Sequence, residues 1–62
     1  NRVKELRGKR KITQEELAAL IGISRQAINA IEKEKFDPSL PTAFKMAKLF
    51  DLSIEKIFLF KE

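Results

Sequence analysis

The sequence predicts an all-α fold, a compact bundle of five short helices in a single domain over residues 1–62, and three observations carry that expectation. Apolar residues recur at spacings of three and four, the period of a helix buried on one face. Thr13, Ser24, Ser39 and Ser53 each precede such a stretch, and Ser and Thr are residues that cap helix N-termini. Gly22 and the Asp37-Pro38 pair interrupt the pattern where helices must stop. No repeat, linker or low-complexity stretch divides the chain.

The first helix is expected from about Arg2 to Arg10, with Val3 and Leu6 inward and Gly8 weakening it by roughly 1 kcal/mol relative to alanine. The second begins after Thr13. Thr13-Gln14-Glu15-Glu16 has the spacing of a capping box, in which the Thr13 hydroxyl and the Glu16 carboxylate each accept from the other's backbone N–H. Leu17, Leu20 and Ile21 form its expected buried stripe, and Gly22 ends it. Ser24 opens a third helix, about Arg25 to Lys33. Ser39 opens a fourth with Pro41 in its first turn, where a missing N–H costs little. Ala43, Phe44, Ala47 and Phe50 form its expected apolar face. Ser53 caps a short fifth helix from Ile54 to about Phe58, and Leu59-Phe60-Lys61 reads as a short C-terminal strand or coil.

Composition narrows the chemistry. There is no cysteine or histidine, which removes disulfides, thiol nucleophiles and the usual zinc sites, and fits a reducing cytosol. With tyrosine absent too, no catalytic cluster is evident, and the expectation is a non-enzyme with no metal, cofactor or small-molecule ligand. The longest apolar run, Ile57-Phe58-Leu59-Phe60, is far short of the ~20 residues of a membrane helix. The net charge is +4, and it is uneven: residues 1–11 hold six positive side chains against Glu5 alone. A basic segment of this kind suits a polyanion such as nucleic acid or an anionic membrane, or is simply a solvated surface. The segment lacks the large aromatic anchors of a membrane-surface helix.

Residues 14–33 carry the most information. Two short helices flank Ile21-Gly22-Ile23, a connection of helix-turn-helix length. Ala18 is small enough to let the two helices approach, Gly22 permits the sharp turn, and Ile23, Ile28 and Ile31 lock the pair together. On a helical wheel Ala27, Ile28 and Ile31 share one side of the third helix, while Arg25, Gln26, Asn29, Ala30 and Lys33 share the other. Arginine suits guanine O6 and N7, and glutamine and asparagine suit adenine N6 and N7. A polar face alone is also what any solvated helix presents. Together with the small residue, the turn glycine, the isoleucines and the basic N-terminal segment, it favours DNA reading by Arg25, Gln26 and Asn29.

Thr13-Gln14-Glu15-Glu16-Leu17-Ala18, followed by Gly22-Ile23-Ser24-Arg25-Gln26-Ala27-Ile28-Asn29-Ala30-Ile31-Glu32, closely resembles the phage repressor and Cro (XRE) helix-turn-helix family. Phe36-Asp37-Pro38-Ser39-Leu40 with Ala43, Ala47 and Ser53-Ile54-Glu55 is similar to its short, single-domain bacterial members. The resemblance covers nearly the whole chain. It implies a lambda-repressor-like five-helix domain that binds operator DNA as a dimer. It implies that Gln14 contacts the DNA backbone at the groove entrance, and that Ser24, Arg25, Gln26 and Asn29 reach phosphates and bases.

The chain departs from the family pattern at Glu34, where glycine is common. The third helix is therefore expected to run on to Lys35 or to end without a left-handed glycine cap. An acid also falls where a phosphate is expected, with Lys33 and Lys35 on either side as backbone-contacting cations. The family often joins an arginine and a glutamate at the positions of Arg7 and Glu32 in a partly buried ion pair. The wheel agrees, since Glu32 leans toward the side of Ile28; the alternative is two unrelated surface charges.

The expected function is that of a sequence-specific transcriptional regulator, a repressor binding double-stranded DNA in the cytoplasm at the nucleoid. Ile57, Phe58, Leu59 and Phe60 are the expected dimer interface, because a thin core cannot cover four consecutive apolar residues. The alternative for these residues is that Phe58 and Phe60 fold back on Val3 and Leu6 of the same chain. The alternative function is an antitoxin-type module that binds a toxin and regulates its own operon.

Overall fold

The structure is a computed structural model that describes residues 1–58. Among these the elements are α1 (Val3–Lys9), α2 (Gln14–Ile21), α3 (Arg25–Glu32), α4 (Leu40–Phe50) and α5 (Ile54–Ile57), with no strand. The strand considered for Leu59-Phe60-Lys61 lies outside the described residues.

Local chemistry sets the helix starts. The capping box before α2 is complete: Thr13 Oγ1 accepts from the Glu16 N–H at 3.0 Å, and the Thr13 N–H donates to Glu16 Oε1 at 2.9 Å. Ser24 Oγ accepts from the Ala27 N–H at 3.1 Å, and Ser39 Oγ from the Thr42 N–H at 3.3 Å. Ser53 stands at the N-cap of α5 in extended backbone but makes no side-chain cap bond. At α1 the capping oxygen comes from Asn1, whose Oδ1 accepts from the Val3 N–H at 3.2 Å.

The helix ends follow a different rule. Gly22 ends α2 at φ 87°, as its lack of a Cβ allows. Lys11, Glu34 and Asp51 adopt the same left-handed conformation at φ 57°, 59° and 55° without being glycine. Of the two outcomes expected at Glu34, α3 does not run on to Lys35, and it ends without a glycine cap. The Glu34 N–H donates to the Ile31 carbonyl and the Lys35 N–H to the Ala30 carbonyl, each at 3.0 Å, which closes α3 at Glu32 in a Schellman motif. A left-handed cap therefore forms without the glycine.

One core joins all five helices. Val3, Leu17, Ile28, Ile31, Met46 and Ile57 are fully enclosed, with Leu6, Ala18, Ile21 and Phe50 packed among them. Two expected core residues are outside it: Leu20 is 61% exposed and Phe44 58% exposed. On α2 the buried set is Leu17, Ala18 and Ile21, so the stripe is centred on the Ala18 side and Leu20 lies roughly 100° from its middle. On α4 the buried set is Thr42, Ala43, Met46 and Phe50, a face rotated away from Phe44 and centred near Met46. Both shifts follow from where the neighbouring helices lie, a matter the sequence of one helix does not record.

Ile57 also needs correction. It is fully enclosed by its own chain, and Phe58 is half-buried against the same core. The Ile57 carbonyl accepts from the Arg2 N–H at 2.9 Å, tying the end of α5 to the start of α1. Ile57 is therefore not available to a dimer interface. Leu59 and Phe60 lie outside the described residues.

Candidate nucleic-acid interface

α2 and α3 pack through buried Leu17, Ala18, Ile21, Ile28 and Ile31, so the outer side of α3 is presented by a rigid pair. Arg25 and Gln26 are exposed in its first turn, and Lys33 at its C-terminal end. Asn29 and Ala30 are half-buried between them. Ala30, with its short side chain, leaves the middle of the face low enough for a close approach. Ser24 spends its acceptor on the cap of α3, and its hydroxyl proton stays available as a donor beside the helix N-terminus, which favours anions. Lys35 is exposed just beyond the helix.

Arg7 and Glu32 meet between α1 and α3. Arg7 Nε donates to Glu32 Oε2 at 2.8 Å and Arg7 Nη2 to Glu32 Oε1 at 3.2 Å, the two-pronged geometry that suits guanidinium and carboxylate. The third arm, Arg7 Nη1, donates to the Ile12 carbonyl at 3.0 Å. The Glu32 side chain keeps only 5% of its surface in water and that of Arg7 17%. Burial pushes the Glu32 carboxyl up. The hydrogen bonds from Arg7 and Gln14 and the charges of Arg7 and Lys4 outweigh that push, and the net displacement is below the ordinary carboxylate range. Arg7 is held above its ordinary value, first by its hydrogen bond to Glu32.

Gln14 and Asn29, assigned from the sequence to separate contacts, are brought together here. Gln14 Nε2 donates to Glu32 Oε1 at 3.1 Å, and Asn29 Nδ2 donates to Gln14 Oε1 at 3.4 Å. Arg7, Glu32, Gln14 and Asn29 thus form one chain of bonds across three helices. With Lys4 and Lys33 they line a shallow polar depression beside the outer face of α3. Sequence reasoning missed Lys4 and the Ile12 carbonyl. Lys4 carried a signal in the basic segment, while a backbone acceptor carries none. No helix among the described residues is long and apolar enough to cross a membrane.

Comparison with known proteins agrees with this architecture. A helix-turn-helix family model matches residues 3–57. An uncharacterized HTH-type transcriptional regulator of Methanocaldococcus jannaschii is 52% identical over the whole chain, which spans 94% of that protein. The uncharacterized HTH-type transcriptional regulator YgzD of Bacillus subtilis is 42% identical, again over the whole chain and 94% of the relative. The HTH-type transcriptional regulator PuuR of Escherichia coli is 33% identical over 92% of the chain, which corresponds to 31% of that longer protein. Relatives of nearly this length thus occur in archaea as well as in bacteria. The chain belongs to the XRE-type helix-turn-helix family of DNA-binding transcriptional regulators.

Proposed function

We propose that the protein is a repressor that occupies an inverted-repeat operator as a symmetric dimer, without catalysis. The observation that carries this reading is the outer face of α3, where Arg25 and Gln26 stand exposed at the first turn of a helix locked by its buried isoleucines. The N-terminal part of such a helix is the part that enters the major groove. Arg25, Gln26 and Asn29 read bases, while Gln14, Ser24, Lys33 and Lys35 hold phosphates. One helix in one groove reads too few base pairs to select a genomic site, and two-fold symmetry removes that limit. Half-site centres are then about 10 base pairs apart or a multiple of that.

Exposed Leu40 and Phe44, four residues apart on one face of α4, support self-association, because adjoining apolar side chains left in water mark interfaces. With Ile57 enclosed, they join Phe58, Leu59 and Phe60 as candidates for the contact. Sedimentation at micromolar concentration reads the oligomeric state, and Phe44→Lys and Phe60→Lys separate the two surfaces. A monomer that binds DNA as tightly as either variant would end the dimer reading. For base reading, Gln26→Ala is expected to cost about 1–3 kcal/mol of discrimination at one base pair per half-site, measured by fluorescence anisotropy on duplexes from the gene's own upstream region. Unchanged preference for operator over random duplex overturns the assignment.

A further inference from the structure

We propose that Gln14 and Glu32 are positioning residues that orient the side-chain amide of Asn29 and thereby commit it to adenine. The proposal rests on Asn29 being a base-reading residue. It is carried by the direction of the hydrogen bonds running from Arg7 to Asn29.

An amide side chain can face a neighbour with either its oxygen or its nitrogen, and only its partners decide which. Here the decision begins at Arg7, which can only donate. It holds the Glu32 carboxylate at both oxygens, at 2.8 and 3.2 Å, with the carboxylate almost sealed from water. An ionised carboxylate can only accept. Gln14 must therefore turn Nε2 toward Glu32, where the bond is 3.1 Å, and this leaves Oε1 facing Asn29. Asn29 must in turn direct Nδ2 at that oxygen, where the contact is 3.4 Å. Reversing Asn29 would set its Oδ1 against Gln14 Oε1, and reversing Gln14 would set its oxygen against the carboxylate. Either reversal opposes two acceptors in a half-buried place.

With Nδ2 anchored through one proton, Asn29 has one N–H and the Oδ1 acceptor left. That pair complements the major-groove edge of adenine, where N7 accepts and N6 donates. Guanine offers two acceptors there, O6 and N7, and Oδ1 would face one of them. The bond order inside the protein thus sets which base suits Asn29, although neither Glu32 nor Gln14 needs to touch that base. Gln14 keeps a second Nε2 proton for a phosphate, so positioning and backbone contact are compatible in one side chain.

The test begins with operators selected from random duplexes by the wild-type protein. Binding to each selected duplex and its single-base-pair variants is then measured for wild type, Asn29→Ala and Gln14→Leu, with circular dichroism melts to establish folding. The expected result is one base pair at which Asn29→Ala loses an adenine preference, with Gln14→Leu lowering the adenine-over-guanine ratio there by about tenfold. A Gln14 that served only the backbone would weaken all duplexes equally and leave the ratio intact, and that result overturns the positioning role while base reading by Asn29 stands. A preferred base other than adenine also overturns the proposal. If Asn29→Ala alters no position, base reading by Asn29 fails and the proposal with it. Should Gln14→Leu not fold, proton NMR of the wild-type protein decides. One Asn29 Nδ2 proton is expected to exchange more slowly than the Nε2 protons of exposed Gln26, and equal exchange overturns the proposal.

Discussion

The two glycines invite opposite substitutions, for reasons visible at each residue. Gly22 sits at φ 87° with a Lys45 amine no closer than 4.0 Å to where a Cβ would stand. Gly22→Ala has room for its methyl group, so its cost is conformational, about 1–2 kcal/mol for an L-residue held left-handed. Gly8 lies inside α1 with nothing within 4 Å of an added Cβ. Gly8→Ala is expected to stabilise by about 1 kcal/mol, which in a domain of this size raises Tm by roughly 4–8 °C in a thermal melt. A lower Tm for Gly8→Ala would show that α1 uses its glycine. Glu32 supplies a second test at this scale. Its carboxyl titrates below the ordinary range in the folded protein, so its stabilising effect is present above the unfolded-state value and is lost as pH falls through the folded one. Glu32→Gln should therefore cost about 3 kcal/mol near neutral pH, at the lower end for a broken buried pair because Arg7 keeps some access to water. In urea titrations at descending pH the gap to wild type should narrow below about pH 4.3. A gap independent of pH would mean that the ion pair is not the source of the loss.

Among the elements, helix termination holds stored strain. α1 closes as α3 does: the Lys11 N–H donates to the Gly8 carbonyl at 3.0 Å and the Ile12 N–H to the Arg7 carbonyl at 3.3 Å, with Lys11 left-handed between them. Bending the chain here also brings the Ile12 carbonyl to the Arg7 guanidinium, so the cap serves the ion pair as well as the helix. Lys11→Gly relieves about 1–2 kcal/mol of backbone strain and adds about 0.5–1 kcal/mol of unfolded-state entropy, for a net gain of about 0.5–1 kcal/mol. A chemical melt of Lys11→Gly beside Lys9→Gly, which should destabilise because Lys9 is inside α1, checks the sign of each. Loss of stability in both would remove the strain argument.

At the level of the whole molecule, the thin core concentrates stability in few side chains. Met46 is fully enclosed where α4 meets the rest of the bundle, whereas Leu20 is mostly in solvent on α2. Met46→Ala is expected to cost about 2–5 kcal/mol, a large share of what a small domain has, while Leu20→Ala should stay within about 0.5 kcal/mol. Equal losses in denaturant titrations would mean that Leu20 is covered in solution, as it would be in an oligomer.

The sequence by itself determined what depends on neighbours three or four positions apart. The capping box at Thr13 and Glu16, the caps at Ser24 and Ser39, the left-handed Gly22 and the five helix positions were legible for that reason, since their chemistry closes within one turn. The outward placing of Arg25 and Gln26 was legible too, because Ile28 and Ile31 fix the opposite side of a short helix. Only the tertiary structure decided which of several apolar residues are enclosed, putting Met46 inside and Phe44 outside and drawing Ile57 into the core. It also made Lys11, Glu34 and Asp51 take a glycine's conformation, because packing on either side of each turn outweighs a local penalty of about 1–2 kcal/mol. The bond between Asn29 and Gln14 joins residues 15 positions apart on different helices. Nothing in either segment specifies that meeting, which exists because α2 and α3 pack at the distance that Ala18 permits.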